Sequence, residues 1–277
     1  MSHFSRFRCA LRPLAWAAAV TCIATPAGVG AQTAAVLPDV TVRADQDGRL
    51  PLAPSAQRER QRLEQLPGGT NLIQPQQAAR LATLRDALDY QPGIVLQDFF
   101  GATDQPRLSI RGSGIQSNPV NRGVVLLQDG LPLNEADGSF VIGTLEPRNA
   151  ALVSARRGAN TLTPSATTLG GELDFQSLTG ADEPGVVRAE MGSFGRKALQ
   201  GAFGLVGQQW DGRVSVSSDR FDGYRHHSAS RRDALHANVG FQSGGVENRT
   251  YLSWTDLAFE SPNVVPKGRV RSAPRGV

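Results

Sequence analysis

The sequence has few of the residues from which disulfides, metal sites and aromatic cores are built. Of its 277 residues only two are cysteines, Cys9 and Cys22, and four are histidines. Both cysteines lie in the first 31 residues, so a chain that loses that segment has no disulfide and no cysteine metal site. Aromatic residues make up 6% of the chain, whereas 30 residues are glycine. This composition favours a glycine-rich β-protein over a helical bundle.

The basic residues give no sign of a nucleic-acid-binding face. The formal net charge is +4 at pH 7. The first 31 residues hold three arginines and no acid, and the last eleven hold Lys267 and three arginines and no acid, so the body between them has a net charge of −3. Proteins that bind nucleic acid usually carry a basic face distributed over the fold. We therefore expect no nucleic-acid partner.

The sequence also lacks a catalytic or metal-ligating constellation. His226 and His227 are adjacent, so on a strand they point to opposite faces, and no ligand spacing surrounds them. The segment GSGIQS at 112–117 fails the dinucleotide-binding pattern at its last position. Ser113 lies between glycines but lacks the first glycine of a nucleophile elbow. The chain is therefore predicted to have no catalytic residue, no metal site and no cofactor, and not to be an enzyme.

Residues 1–31 have the pattern of a secretory signal peptide. Arginines are followed by an apolar stretch from Leu14 to Ile23 and then by Val29-Gly30-Ala31. This order predicts cleavage after Ala31 and export of the chain. An alternative, lipidation at Cys22, is weaker because Thr21 fits poorly where a small residue is expected.

Residues 32–54 are predicted to be a mobile segment, because they are polar and rich in proline and have little apolar area to bury. Within them LPDVTVRAD, residues 37–45, is a short β-prone island. Such a segment can be bound as an added strand at the open edge of a partner's sheet. A linker without a function of its own is the alternative.

Residues 55–180 are predicted to form a compact α+β domain. A charged helix follows Ser55 and is ended by Pro67-Gly68-Gly69. A second helix begins at Thr83, which can form a capping box with Asp86. Strands are predicted in four segments, Ile94-Val95-Leu96, PRLSIRGSG, RGVVLLQDGLPLN and ALVSARRG, and the tail at 171–175 also alternates like a strand.

Residues 181–260 change to a regular β pattern. In ALHANVGFQ, apolar residues from Leu235 to Phe241 alternate with a polar set from His236 to Gln242. Strands of about ten residues or fewer, separated by Gly, Asp and Ser turns, are typical of a transmembrane antiparallel β-barrel. A two-layer sandwich has the same period, but the polar character of the second face favours the barrel. Residues 261–277 read as a basic, loop-like tail.

Six segments in this order resemble the start of a TonB-dependent outer-membrane receptor. They are PDVTVRA, TLRDALDYQPGI, RLSIRGSG, VLLQDGLPLNEADG, ARRGANTLTPSATTLGGELDF and EMGSFG. The resemblance covers most of residues 37–195 and continues in strand pattern to about residue 260. It implies an N-terminal plug domain inside a β-barrel, in the bacterial outer membrane and in contact with its lipid.

The resemblance also implies roles for individual residues. Asp39, Val40, Thr41, Val42, Arg43 and Ala44 match the TonB box, which a TonB-type energy-transducing protein binds, although Arg43 replaces the more usual aliphatic residue or threonine. Arg111 and Arg157 match arginines that anchor the plug against acids of the barrel, although SARRG lacks the usual acid before Arg157. Gly158, Gly170 and Gly171 are expected to permit close approach of the plug backbone to the barrel.

Two segments are expected to form ligand-facing loops at the apex of the plug. They are residues 97–105, with Phe99, Phe100 and Asp104, and residues 134–140, with Glu135 and Asp137. The phenylalanines fit a ligand cup and a plug core equally well. The implied ligand is a scarce solute, most often a ferric siderophore or similar iron chelate.

The barrel is expected to be incomplete in this chain. The 97 residues from 181 to 277 suffice for about five strands. The sequence therefore predicts the N-terminal part of a transporter, unable to form a pore by itself. The alternative function is that of a secreted periplasmic protein with a plug-like domain that binds a solute or a partner without transport.

Overall fold

The computed structural model describes residues 52–78, 80–81, 83–97, 106–113, 121–158, 169–183, 185–262, 267–273 and 275. The predicted signal peptide, the TonB-box residues 39–44 and the loop residues Phe99, Phe100 and Asp104 lie outside them.

The described elements form two layers. The first is an N-terminal domain with α1 Ala56–Glu64, β1 Gly69–Ile73, α2 Leu84–Leu88, β2 Ile94–Gln97, β3 Arg107–Ile110, β4 Val125–Gln128, β5 Leu131–Pro132, β6 Ala150–Arg157 and β7 Gly171–Ser177. The second is a C-terminal sheet with β8 Gly185–Met191, β9 Lys197–Val206, β10 Trp210–Phe221, β11 Ser230–Ser243 and β12 Val246–Phe259.

The two helices begin where the sequence predicts. The Ser55 side chain accepts a hydrogen bond from the Arg58 amide at 3.4 Å and caps α1. The predicted capping box of α2 is confirmed, since Thr83 Oγ1 accepts from the Asp86 amide at 3.3 Å and Asp86 Oδ2 accepts from the Thr83 amide at 2.8 Å. No helix in the described part of the chain has the length and apolar character needed to cross a membrane.

The N-terminal domain is built on a mixed sheet of order β1-β6-β7-β4-β5, in which β4 and β7 are parallel. The hairpin β2–β3 packs with α2 on a core that includes Leu88, Leu108, Ile110 and Leu173, all fully buried. The predicted strands are confirmed. The sequence did not predict β1. Gly69, the last residue of the segment that ends α1, is also the first residue of this strand, which pairs with β6.

The C-terminal sheet is an antiparallel meander, β8 to β12 in chain order, and it does not close into a barrel. Its longer strands exceed the predicted ten residues, since β11 and β12 have 14 residues each. Ion pairs join neighbouring strands near one end of the sheet, Arg220 on β10 with Asp233 on β11 at 2.9 Å and Arg231 on β11 with Asp256 on β12 at 2.8 Å. The predicted fold class, an α+β domain followed by antiparallel strands of an incomplete barrel, is confirmed.

The interface between the two sheets

The C-terminal sheet has its polar face inside and its apolar face outside. Along β10, Asp211, Arg213, Ser215, Ser217 and Asp219 are buried, whereas Trp210, Val214 and Val216 are exposed. The exposed apolar face continues over the neighbouring strands with Val187, Leu199, Phe203, Leu205, Val239, Phe241, Leu252 and Trp254. A sheet in water has the opposite arrangement, and an apolar surface of this extent marks contact with another apolar phase.

Two charged side chains of the N-terminal domain project into this polar face. The 3-10 helix Pro147–Asn149 follows Glu146, whose side chain accepts from the Arg148 amide at 3.1 Å. The Arg148 guanidinium donates back to both Glu146 oxygens at 2.9 Å. Both side chains are almost fully buried, so this short loop presents a bidentate ion pair to the C-terminal sheet.

The C-terminal sheet completes the ion pair. Arg148 Nη2 donates to Asp219 Oδ2 on β10 at 2.5 Å. Arg232 on β11 pairs with Glu146 and donates to the Leu145 carbonyl at 2.8 Å, and Ser217 Oγ donates to Glu146 Oε2 at 2.9 Å. We call Glu146, Arg148, Asp219 and Arg232 the interface quartet. Two acids and two arginines balance their charge, which is what allows four ionised groups to be buried together.

The electrostatics of Glu146 favour the ionised form of this carboxyl. Burial by itself would raise the pKa of Glu146, but the charges of Arg232 and Arg148, with hydrogen bonds from Arg148, outweigh it and hold the pKa below its usual range. This carboxylate therefore remains available to Arg148 and Arg232 through the physiological pH range.

A second set of contacts joins the sheets near the end of β7. The Asn238 side chain donates to the Leu178 carbonyl at 2.9 Å, and the Gly180 amide donates to Asp211 at 3.2 Å. Arg249 on β12 donates to both oxygens of Asp211, at 2.9 and 2.6 Å, and to Asn238 Oδ1 at 2.7 Å. The linker from β7 to β8 is thereby held on the polar face.

Residues 62–172 match the family described as TonB-dependent Receptor Plug Domain. This range covers nearly all of the N-terminal domain, from within α1 to the start of β7. Residues 62–172 are a plug domain of the TonB-dependent receptor type. The interface described above therefore joins a plug to the strands that follow it.

Solved structures have the same arrangement of plug and strands. The chain matches the unliganded ferric citrate transporter FecA with a TM-score of 0.61 and 17% identity, over 80% of this chain and 36% of that one. It matches the pyoverdine outer membrane receptor FpvA of Pseudomonas aeruginosa PAO1, bound to pyoverdine, with a TM-score of 0.53 and 17% identity, over 69% and 28%. It matches a double mutant of the Serratia marcescens hemophore receptor HasR, in complex with HasA and heme, with a TM-score of 0.56 and 18% identity, over 70% and 32%. The chain thus spans about a third of the length of these receptors and transporters, and the likeness shows a shared fold.

Both predicted anchoring arginines lie on the plug. Arg157 is the last residue of β6, and Arg111 directly follows β3. The guanidinium of Arg111 lies against Gly158, and that of Arg157 lies against Gly69 and Gly93. Neither makes an ion pair with an acid of the described residues. Their role as anchors to a barrel stays a prediction, whereas the interface quartet supplies charged plug contacts that the sequence motifs did not indicate.

The predicted close-approach glycines contact the plug itself in the described residues. A β-carbon at Gly170 would overlap Ser113 and the Gly123 carbonyl, and one at Gly171 would overlap the Arg156 carbonyl. Gly158 donates its amide to the Gly170 carbonyl at 2.7 Å. Because these positions are glycine, β6, β7 and the turn at Ser113 can approach one another closely. Contact of the three glycines with barrel strands stays a prediction.

Asn121 links Pro106, directly before β3, to Phe140, the last residue of the second predicted apex loop. Its side chain donates to the Pro106 carbonyl at 2.9 Å, and its backbone carbonyl accepts from the Phe140 amide at 3.2 Å. Of the first predicted loop, residues 98–105 lie outside the described residues. Glu135 and Asp137 are exposed on the second loop. Hydrogen bonds from Ser139 and Arg122 lower the pKa of Asp137 to about 2. The Asp137 carboxylate thus accepts hydrogen bonds from within the plug, including one from its own loop. Ligand contact by either acid stays a prediction.

Asp129 is the plug carboxyl from which we expect a measurable pH dependence. It lies in the turn from β4 to β5 and accepts from the Ser177 amide at 2.7 Å and the Ser177 hydroxyl at 2.6 Å. Burial raises its pKa to about 6; the bonds from Ser177 oppose this, Asp174 adds to it and Arg249 opposes it. Because the pKa of Asp129 is higher in the folded state than in the unfolded state, the protonated carboxyl favours folding. This contribution to stability is complete below about pH 3.8 and is lost as the pH rises through about 6.

We therefore expect wild type to lose stability relative to Asp129→Asn by about 2 kcal/mol between pH 4 and pH 7. Urea unfolding at a series of pH values measures the difference. Asp137→Asn is the control with the opposite sign: its pKa is lowered to about 2, so its difference should develop only as the pH falls below about 4. A wild-type minus Asp129→Asn difference that does not change with pH would contradict the assignment.

Proposed function

We propose that this chain is the N-terminal part of an outer-membrane receptor that takes up a scarce solute, an iron chelate, with energy supplied through residues 39–44. The observation that carries the proposal is the inverted polarity of the C-terminal sheet, whose apolar face is exposed while its polar face holds the plug. This is the arrangement that a strand needs between lipid and a hydrated, plugged lumen.

The inverted sheet favours transport over the secreted binding protein. A periplasmic protein would expose Trp254, Phe203 and the other outward side chains to water, which opposes solubility. The receptors that share the fold support the choice of solute, since those named above include a ferric citrate transporter and a receptor bound to pyoverdine.

The test is removal of residues 39–44 from the protein expressed from its own gene in its own host. We expect uptake of radioactive iron, supplied as chelates of several chemical classes, to fall to the level of a strain without the gene. The reason is that an added strand from this segment is the proposed attachment to the energy-transducing partner. Binding of the chelate to the cell surface should persist.

Removal of residues 46–51 is the matched control, because it shortens the same segment by six residues outside the TonB box. This variant should keep most of its uptake. Full uptake by the variant that lacks 39–44, or equal loss in both variants, would refute the proposed coupling.

A further inference from the structure

Three basic side chains lie side by side on the outward face of the C-terminal sheet, near one end of its strands. In the strand register, Arg220 on β10 is directly opposite both Lys197 on β9 and Arg231 on β11. We call these three residues the basic row. Each of β9, β10 and β11 has a paired strand on both sides, so the row lies away from the open edges of the sheet. Like charges directly opposite one another destabilise a sheet, so the fold itself gains nothing from this placement.

The acids next to the basic row compensate its charge only in part. Asp233 accepts from both terminal nitrogens of Arg220, at 3.0 and 2.9 Å. Asp256 accepts a single bond from Arg231, at 2.8 Å, and both of these side chains are about half exposed. Lys197 is exposed and forms no ion pair with an acid of the described residues. Lys197 and Arg231 therefore keep donors that can bind an anion.

The distance of the basic row from the other end of the outward face fits the hydrocarbon core of a membrane. At that other end the outward side chains of Trp210, Phe241 and Asn248 lie side by side and carry no charge. Arg220 follows Trp210 by ten residues on β10, which is about 33 Å along a strand. A strand tilt of about 35–45° reduces this to a height of about 25 Å, the height of the apolar band of outer-membrane barrels. The basic row therefore lies at the level where lipid headgroups begin.

The connections between the strands indicate which leaflet the basic row faces. On the side of the row the strands are joined by residues 192–196 and 222–229, whereas on the other side they are joined by the short turns 207–209 and 244–245. Outer-membrane barrels have short turns on the periplasmic side and longer loops outside. Phe194 and Tyr224, one from each longer loop, are about half exposed and lie edge to face with ring centroids 5.3 Å apart, as is common for aromatic residues at a membrane interface. The basic row thus faces the headgroups of the outer leaflet.

We propose that the basic row is a binding site for the phosphate groups of an outer-leaflet lipid. Lys197 and Arg231 donate to phosphate oxygens, and Arg220, held by Asp233, adds its charge between them. The long aliphatic stems of Lys197 and Arg231 lie over apolar surface while their charged ends reach the headgroups. The choice of leaflet rests on the proposed function, because it requires that these strands span the outer membrane. Binding of a lipid phosphate by the row does not depend on transport.

The test is native mass spectrometry of the purified protein in detergent, titrated with diphosphoryl lipid A. Lys197→Gln combined with Arg231→Gln removes two charges from exposed positions and should leave the fold intact, which circular dichroism checks. We expect the double variant to bind this lipid about tenfold more weakly, because it loses two charge-assisted contacts at an exposed site. Lipid A from which the phosphates have been removed should bind wild type as weakly as the diphosphoryl form binds the double variant.

Arg60→Gln is the matched control, because Arg60 is an exposed arginine on α1 of the plug. It should bind the lipid within about twofold of wild type. Unchanged binding in the double variant, equal weakening in the control, or equal binding of the two lipid forms by wild type overturns the proposed site. Displacement of the lipid by millimolar inorganic phosphate also overturns it, since the row would then bind the free anion. Lipid binding that depends on the row, in a protein whose uptake ignores removal of 39–44, keeps the lipid site and rejects only the transport function.

Discussion

Replacing Glu146 by alanine is expected to lower the free energy of unfolding by about 3–5 kcal/mol. The substitution leaves Arg148 and Arg232 buried with only Asp219 between them, at 2.5 and 3.9 Å. Two buried arginines then share one carboxylate, so one positive charge in the interface is left uncompensated. Urea unfolding in detergent, followed by far-ultraviolet circular dichroism, measures the loss.

Glu135→Ala is the control for this prediction, since Glu135 is an exposed acid of the same plug. It should change stability by less than about 0.5 kcal/mol. The double variant Glu146→Ala, Arg232→Met should lose less free energy of unfolding than the two single variants lose together, because it also removes the uncompensated positive charge. A Glu146→Ala protein as stable as wild type would mean that the quartet does not hold the plug.

Replacing Gly171 by alanine is expected to lower the free energy of unfolding of the plug by about 4 kcal/mol, from backbone strain and steric overlap together. Gly171 has φ of +131°, a conformation that a residue with a β-carbon adopts only under strain. The added carbon would also overlap the Arg156 carbonyl on the paired strand, so the backbone of β6 or β7 has to move. The same unfolding experiment measures the effect.

Gly138→Ala separates the two causes. Gly138 also has positive φ, +80°, but a β-carbon there would meet no atom within 4 Å. It should therefore lose only the conformational part, about 1 kcal/mol. If the two alanine variants were equally stable, close approach at Gly171 would not be what requires glycine.

Local signals explain what the sequence could predict. The capping box at Thr83 and the alternation in ALHANVGFQ are read from neighbouring residues, and both are present in the structure. The polar inner face of β10 and β11 was also expected from alternation. Each of these features depends on interactions within one helix or one pair of strands, where spacing along the chain fixes geometry.

The interface quartet depends on distant segments and was missed for that reason. Glu146 and Ser217 are 71 residues apart, and Glu146 and Arg232 are 86 apart. Their meeting requires both the register of β10 with β11 and the position of the plug on that sheet. The buried charges on β10 and β11, Asp219 and Arg232, were the available signal, but no spacing along the chain names their partner on the plug.

The quartet also decides what the cooperative unit of this molecule is. The chain changes character near residue 180, and each layer has its own sheet. Yet the plug alone would expose the side chains of Glu146 and Arg148, and the strands alone would leave Asp219 and Arg232 without half of their partners. We therefore expect the two layers to unfold together, as one thermodynamic domain.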